Sequence, residues 1–281
     1  MSEGGEEGRS GDDATAERRL FGEQLPTRTG FVACDLGIAR VSLAGGRVGH
    51  TGLVERCTAT SIAADSERVV AGTVRGVLVD EGNGFDRVGE AFEVEAVGLT
   101  AGGQALAGGA DGRVVAWDAD HGWEPIGQVP EPQRFDGDVL AASGGVYRVM
   151  ETLEPLGLSA AHDIAARDGP LAATEDGLHR QAEGGGWDRE HDRPTAAVIA
   201  ADGQAHAIDD RGVLERVDRT WERRDAPELP VDLAYTDDRP CAITADGTLL
   251  VSVEEELTGD EQSGWRSHPL GLRGVVEFVV Q

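Results

Sequence analysis

A block of alternating apolar residues around a turn glycine recurs seven times in this 281-residue chain. The blocks begin at Phe31, Val69, Ala105, Leu140, Leu171, His206 and Cys241. The turn glycines are Gly37, Gly76, Gly112, Gly145, Gly177, Gly212 and Gly247, at successive spacings of 39, 36, 33, 32, 35 and 35 residues. A repeat of about that length is one supersecondary unit that packs against copies of itself.

Each block predicts a β-hairpin, because apolar alternation on both sides of a short turn ending in glycine is typical of two antiparallel strands. A further alternating run precedes most hairpins, as in EAVGLT at 95–100, and an aromatic residue such as Trp187 often follows. These runs add an inner and an outer strand. Four antiparallel strands in about 35 residues indicate a β-propeller blade. Helical repeats of similar period are excluded by the frequent glycines and the period of two.

The two ends of the chain complement each other. The first block has no upstream strand, whereas the chain ends in GVVEFVVQ at 274–281 with no hairpin after it. We therefore predict an all-β, seven-bladed propeller over residues 30–281, closed by the C-terminal strand joining the N-terminal blade, an arrangement that leaves no exposed seam. Residues 1–29 are acidic and glycine-rich, and we predict a disordered leader there.

The charge balance limits the habitat and the partners. The chain has 52 Asp and Glu against 25 basic residues, a net charge of −27, and contains no lysine. This composition is typical of cytoplasmic proteins from salt-in haloarchaea, while an acidic mesophilic protein with a basic partner is the alternative. Nucleic-acid binding is excluded because it requires clustered positive charge. The longest apolar run, 196–201, is too short to cross a membrane.

Candidate binding residues lie where inner strands begin, because side chains there can face the axial channel. The candidates are Arg134, His162, Asp163, Asp232 and Arg273. His162 and Asp163 could be a base and its orienting acid, or His162 could simply be hydrogen-bonded at the channel mouth. Two arginines would repel a divalent cation and suit an anionic group or an internal salt-bridge network. Both arginines are hypothesised to hold a partner's carboxylate, with pairing to Glu95 or Asp232 as the alternative.

No catalytic residue, cofactor site or metal site is predicted. The three cysteines, Cys34, Cys57 and Cys241, lack Cys-x-x-Cys spacing, and small buried roles are expected for Cys34 and Cys241. The acidic pairs are expected to be solvated, and the recurring tryptophans to pack between blades.

Family motifs are sparse. Trp117-Asp118 imitates the end of a WD repeat once, and AGGADGRVVAWDADHGW at 107–123 resembles a quinoprotein-type repeat. As a whole, residues 30–281 resemble a family of haloarchaeal β-propeller proteins of undefined function. The resemblance implies the fold and the host, and it implies no catalytic residues.

Three functions remain open. The leading hypothesis is a non-enzymatic scaffold or interaction module, a cytoplasmic monomer that binds an unknown protein partner. The alternatives are a channel-mouth hydrolase or lyase, and an exported assembly or sensor propeller. Export is disfavoured because the stretch after Arg18-Arg19 contains Glu23, Pro26 and Arg28 in place of a hydrophobic signal region.

Overall fold

The computed structural model describes residues 27–44, 46–167, 169–237, 239–253 and 264–281. The described residues form seven four-stranded antiparallel sheets, so the predicted seven-bladed propeller is confirmed. The leader prediction over residues 1–26 lies outside the described residues. Its predicted end at residue 29 is wrong, because the first strand begins at Arg28.

Each blade contains an inner, a second, a third and an outer strand. The inner strands are β4 (Ala59–Ala64), β8 (Val94–Leu99), β12 (Pro132–Asp136), β16 (Asp163–Ala165), β20 (Thr195–Ala201), β24 (Asp232–Thr236) and β28 (Glu277–Val280). The second strands are β1 (Arg28–Cys34), β5 (Val69–Thr73), β9 (Ala105–Gly109), β13 (Val139–Ala142), β17 (Leu171–Thr174), β21 (Gln204–Asp209) and β25 (Arg239–Ile243).

The turn glycines open most of the third strands, as the repeat predicts. The third strands are β2 (Gly37–Ala44), β6 (Gly76–Asp80), β10 (Arg113–Asp118), β14 (Gly145–Val149), β18 (Gly177–Gln181), β22 (Gly212–Val217) and β26 (Thr248–Ser252). The outer strands are β3 (Arg47–Glu55), β7 (Phe85–Val88), β11 (Gly122–Gln128), β15 (Leu153–Gly157), β19 (Trp187–His191), β23 (Thr220–Arg224) and β27 (Trp265–Pro269).

The C-terminal strand closes the ring. β28 pairs antiparallel with β1, from Gly30 opposite Val280 to Ala33 opposite Glu277, and so supplies the inner strand of blade 1. Phe278 of this strand is fully buried. We number the blades in chain order, so that blade 1 is β28-β1-β2-β3 and blade 7 is β24-β25-β26-β27.

The core lies between the blades. Among the described residues, seven clusters of buried apolar side chains each join two adjacent blades, one cluster for every junction of the ring. Cys34 and Cys241 are buried free thiols in second strands, as predicted. Trp187 of blade 5 donates its indole N–H to Leu156 O of blade 4 at 2.9 Å, in line with the expected packing of tryptophans between blades.

The antiparallel order gives the ring two distinct faces. The upper face carries the starts of the inner strands, the ends of the outer strands and the turns between second and third strands. The lower face carries the other two turns of each blade. None of the described residues lies in a helix with the length and apolarity needed to span a bilayer.

Candidate functional site

One position near the start of each inner strand is structurally equivalent in all seven blades. At this position, each inner strand pairs with the residue four places before the blade's turn glycine, as Glu277 pairs with Ala33 before Gly37. The seven equivalent residues, which we call the ring residues, are Ser61, Ala96, Arg134, Asp163, Ala197, Asp232 and Glu277. They comprise three carboxylates, one arginine and three small side chains.

Arg134 gathers the three carboxylates of the ring residues around one guanidinium. Its Nη1 lies 2.5 Å from Glu277 Oε1 and 3.4 Å from Asp232 Oδ2, and its Nε lies 3.5 Å from Asp163 Oδ1. The Arg134 side chain is 19% exposed, and the three carboxylates are almost fully buried. One buried cation therefore connects blades 1, 4, 5 and 7 across the channel.

The same carboxylates also join neighbouring blades through backbone hydrogen bonds. The N–H of Ile62 donates to Glu277 Oε2, that of Phe278 to Asp232 Oδ2, and that of Val198 to Asp163 Oδ2, each at 2.7 Å. Each donor is the residue after the ring residue of the next blade. Ser61 follows the same pattern, because its hydroxyl oxygen accepts from Val97 N–H at 3.1 Å.

Asp163 and Asp232 accept a second backbone hydrogen bond from within their own strands. The donors are the N–H groups of Ile164 and Leu233, each at 2.8 Å. With these bonds and the guanidinium, the carboxylates have the partners that a buried charge requires. These side chains therefore form an internal network, in which Arg134 makes the pairing with Asp232 that the sequence left open, whereas Arg273 lies outside the network.

The network is electrostatically strained because three acids share one cation. Burial raises the pKa of Asp163 to about 7, although Arg134 acts in the opposite direction. Burial also raises the pKa of Glu277, again against the effect of Arg134. For Arg134, burial disfavours the charge, but Asp232, Glu277 and Asp163 outweigh it and raise its pKa, so it remains a cation. Near neutral pH the network therefore holds a proton on its carboxylates for part of the time.

A cavity of about 320 Å³ fills the channel below the ring residues. Arg134 and Glu277 line one end, and the later residues of the inner strands form walls rich in Ala, Val and Ile. Gly137 and Arg167 lie toward the lower face, where these strands end. Among the described residues, no group of three His, Cys, Asp or Glu side chains is arranged to hold a metal ion.

The structure brings three of the five predicted site residues together and leaves two apart. Arg134, Asp163 and Asp232 meet in the network. The imidazole of His162 instead contacts the backbone carbonyl oxygen of Thr195 in the next blade at 3.0 Å. The placement of Arg273 at the start of an inner strand is wrong. Arg273 is exposed in the loop before β28, four residues ahead of the actual ring residue, Glu277.

Sequence reasoning missed Glu277, although a signal for it exists. EFVV at 277–280 matches the pattern of DLAY at 232–235, with an acid followed by a large apolar residue. The predicted strand at 274–281 begins three residues before the actual strand, because Val275 and Val276 extend the apolar run ahead of Glu277 and obscure where β28 starts. Counting back from the partner strand β1 would have placed Glu277 correctly.

The upper face also carries an uneven distribution of apolar side chains. Seven large hydrophobic side chains are exposed among the described residues. Six of these lie on the upper face, namely Leu36, Val54, Val74, Leu229, Val231 and Val276. The seventh, Met150, lies on the lower face, in the turn between β14 and β15.

Comparison with solved structures places this chain among known propellers. The computationally designed Ika8 protein is 19% identical, with 90% of this chain and 92% of that chain covered and a TM-score of 0.58. YCF48 bound to a D1 peptide is 15% identical, with coverage of 75% and 82% and a TM-score of 0.56. The WD40 domain of Doa1 is 11% identical, with coverage of 82% and 90% and a TM-score of 0.56. These likenesses show the fold alone.

Sequence comparison gives the family. No curated protein matches this chain. Residues 14–281 match the model of the HVO_0234-like β-propeller family, which confirms the predicted resemblance to a propeller family of this kind. The chain therefore belongs to the HVO_0234-like β-propeller family.

Proposed function

We propose that this protein is a non-enzymatic interaction scaffold of a halophilic cytoplasm, and that its protein partner docks on the upper face. The observation that carries the proposal is the placement of six of the seven exposed large hydrophobic side chains of the described residues on that face. An accumulation of exposed apolar side chains on one face favours that face as the interaction surface. Loops held on a rigid scaffold are the usual place for binding residues.

The contacts within the channel network support a structural role for its three carboxylates, which are the groups that an enzyme would use as acid and base. Asp163, Asp232 and Glu277 would be the acids and bases of a channel hydrolase or lyase, but each accepts backbone hydrogen bonds and faces Arg134. An arginine with three buried carboxylate partners is also a poor docking residue for an external anion. The carboxylate-binding role hypothesised for Arg134 is therefore not part of the proposal.

The fold and the composition are compatible with this role. YCF48, a propeller of the same fold, is bound to a D1 peptide. The net charge of −27 without lysine favours solubility in molar salt, where repulsion between carboxylates is screened. At that salt concentration long-range attraction contributes little, so apolar contact must provide most of the affinity.

The test is affinity capture in molar KCl from a lysate of a salt-in haloarchaeon. The variant Leu36→Ser with Leu229→Ser removes two apolar side chains of the upper face. The control Met150→Ser removes one from the lower face with the same fractional exposure, 51% against 52% for Leu36. We expect wild type and Met150→Ser to capture the same protein, and the double variant to lose most of it while keeping its circular dichroism spectrum.

Two results would contradict the proposal. The first is equal capture by the folded double variant, and the second is loss of capture in Met150→Ser alone. Either result would place the docking surface away from the upper face.

A further inference from the structure

The channel cavity of about 320 Å³ is a pocket with one closed end and one open end. Arg134 and Glu277 close its upper end, where the ring residues meet across the channel. Ile199 and Val279 line the cavity from within inner strands, and both are only half-buried, so solvent reaches the walls from the lower face. The volume lies at the lower end of the range of about 300–1,000 Å³ for ligand pockets, and it suits a small molecule.

One backbone edge of each inner strand faces the channel. Each inner strand pairs with a second strand on one side only, so its other edge has no partner strand among the described residues. The ring residues satisfy the upper part of this edge with their side chains. Those side chains accept from the N–H groups of Ile62, Val97, Val198, Leu233 and Phe278.

The lower part of the same edge points into the cavity. Backbone hydrogen-bonding groups alternate between the two sides of a strand, so residues two positions further along point the same way. These residues are Ala64, Leu99, Ala200, Tyr235 and Val280, and all five line the cavity. Each presents an N–H donor and a carbonyl acceptor that need a partner, which is water or a ligand. A hydroxyl group both donates and accepts, and so pairs with either.

The closed end of the cavity has an excess of negative charge, because three carboxylates there share one guanidinium. Glu277 lines the cavity and accepts hydrogen bonds from Arg134, from the N–H of Ile62 and from the hydroxyl of Ser61. A carboxylate offers about four acceptor positions, so one remains for a ligand. This end therefore favours a cation that carries N–H donors.

The other charges near the cavity do not change this preference. Asp136 and Arg167 line its lower part, and their opposite charges cancel. The molecule as a whole carries a net charge of −27, which disfavours an anion further. Burial raises the pKa of Asp163 to about 7 and also raises that of Glu277, so the network takes up a proton when no other cation is present. A ligand ammonium group would supply that positive charge instead.

We infer that the channel cavity binds a small hydroxylated amine, whose ammonium group donates to Glu277 and whose hydroxyl groups pair with the edges of the inner strands. The Ala, Val and Ile side chains of the walls pack against its carbon skeleton. The site lies below the ring residues, whereas the proposed docking surface lies above them. The inference therefore goes beyond the proposed function and does not depend on it.

The experiment measures the binding of four probes to the full chain in molar KCl by saturation-transfer difference NMR. Glucosamine carries an amine and hydroxyl groups, glucose the hydroxyl groups alone, glucuronate hydroxyl groups with an anion, and cyclohexylamine an amine without hydroxyl groups. The pH is kept slightly below neutral, where both amines are protonated. We expect glucosamine to bind at least tenfold more tightly than each other probe, because the others leave polar groups of the cavity without a partner.

A charge variant tests the role of the closed end. Glu277→Gln removes the negative charge that lines the cavity and keeps an acceptor oxygen. We expect it to bind glucosamine at least tenfold more weakly than wild type and glucose equally well. The control Asp111→Asn removes an exposed negative charge outside the channel, and it should bind glucosamine as wild type does.

A second pair of variants tests the site without altering the network, and so remains informative if Glu277→Gln does not fold. Gly137 and Gly203 both lie in turns between an inner and a second strand, both have positive φ, and a Cβ at either would meet no atom within 4 Å. Of the two, only Gly137 lines the cavity. We expect Gly137→Trp to weaken glucosamine binding at least tenfold and Gly203→Trp to leave it unchanged.

Four results would overturn the inference. Binding of none of the probes would mean that water alone fills the cavity. Equal binding of glucose, or tighter binding of glucuronate, would exclude the cation preference. Cyclohexylamine binding as tightly as glucosamine would exclude the role of the strand edges. Wild-type binding by folded Glu277→Gln and by Gly137→Trp would place the glucosamine outside the channel.

Discussion

At the scale of single residues, Arg134 is the side chain on which the channel network depends. Replacement by alanine would leave the carboxylates of Asp163, Asp232 and Glu277 buried without their cation. Loss of one partner of a buried ion pair destabilises a protein by about 3–5 kcal/mol. We therefore expect Arg134→Ala to lower the free energy of unfolding by about that amount, measured by denaturant titration in molar salt.

The matched control is Arg113→Ala, because Arg113 forms an exposed ion pair with Asp111. Exposed pairs contribute about 0–1 kcal/mol, so this variant should unfold much like wild type. A stable Arg134→Ala protein would contradict the structural role of the network. It would make Arg134 available again as a binding residue.

Asp163 provides a test of the shared proton. Its pKa is raised by burial to about 7, so the folded state holds a proton that the unfolded state releases near pH 4. The contribution of Asp163 to the free energy of unfolding is therefore largest below about pH 4, and it falls as the pH rises from about 4 to about 7. Arg134 and Asp232 are the charged groups that act on it.

The measurement compares Asp163→Asn with wild type from pH 5 to pH 8. Comparing the two proteins removes the contribution of other titrating groups. One of these is buried His206: its pKa is lowered to about 4, so its contribution to stability rises with pH, opposite to that of Asp163. We expect the stability of the variant to rise relative to wild type as the pH rises. A constant difference across this range would show that Asp163 is ionised throughout.

At the scale of strands and turns, the turn glycines differ in what surrounds them. Gly177 and Gly212 have nearly equal positive φ angles, 132° and 130°. A Cβ at 177 would lie 2.0 Å from the carbonyl oxygen of His191, whereas a Cβ at 212 meets only Arg223 Nη1 at 3.7 Å. Alanine at either position strains the backbone by about 1–3 kcal/mol, and only Gly177→Ala adds a steric clash.

We therefore expect Gly177→Ala to cost about 1–3 kcal/mol more than Gly212→Ala, as overpacking does. Thermal unfolding of the two variants in molar salt provides the comparison. Equal melting temperatures would mean that the outer strand β19 shifts to accommodate the Cβ at position 177 without any loss of stability.

The repeat was sufficient to predict the blades but not the network. Alternation around a turn glycine is a local signal, so the hairpins and the missing inner strand of blade 1 could be identified from the sequence. The contact between Arg134 and Asp232 joins residues 98 positions apart across the channel. A repeat places such residues at equivalent positions in a ring, but it does not say which side chains meet in the centre. Arg273 was misplaced because the apolar residues Val275 and Val276 precede β28 and made the strand look longer at its start.

At the scale of the whole molecule, the charge of −27 should make folding depend on salt. At about 0.1 M salt the Debye length is about 10 Å, so the surface carboxylates repel one another across neighbouring blades, while at 1 M it is about 3 Å. We expect the melting temperature to rise steadily with KCl concentration, measured by circular dichroism. A melting temperature independent of salt would favour an acidic protein from a low-salt cytoplasm.

Docking of a partner on the upper face is the central claim, and hydrogen–deuterium exchange of the captured complex in molar KCl tests it most directly. Exchange should slow on complex formation in the segments that contain Leu36, Val74, Leu229 and Val276. The turn that contains Met150, on the lower face, should exchange at the same rate in the free and bound protein. Slower exchange around Met150, with no change around Leu36 and Val276, would contradict the account.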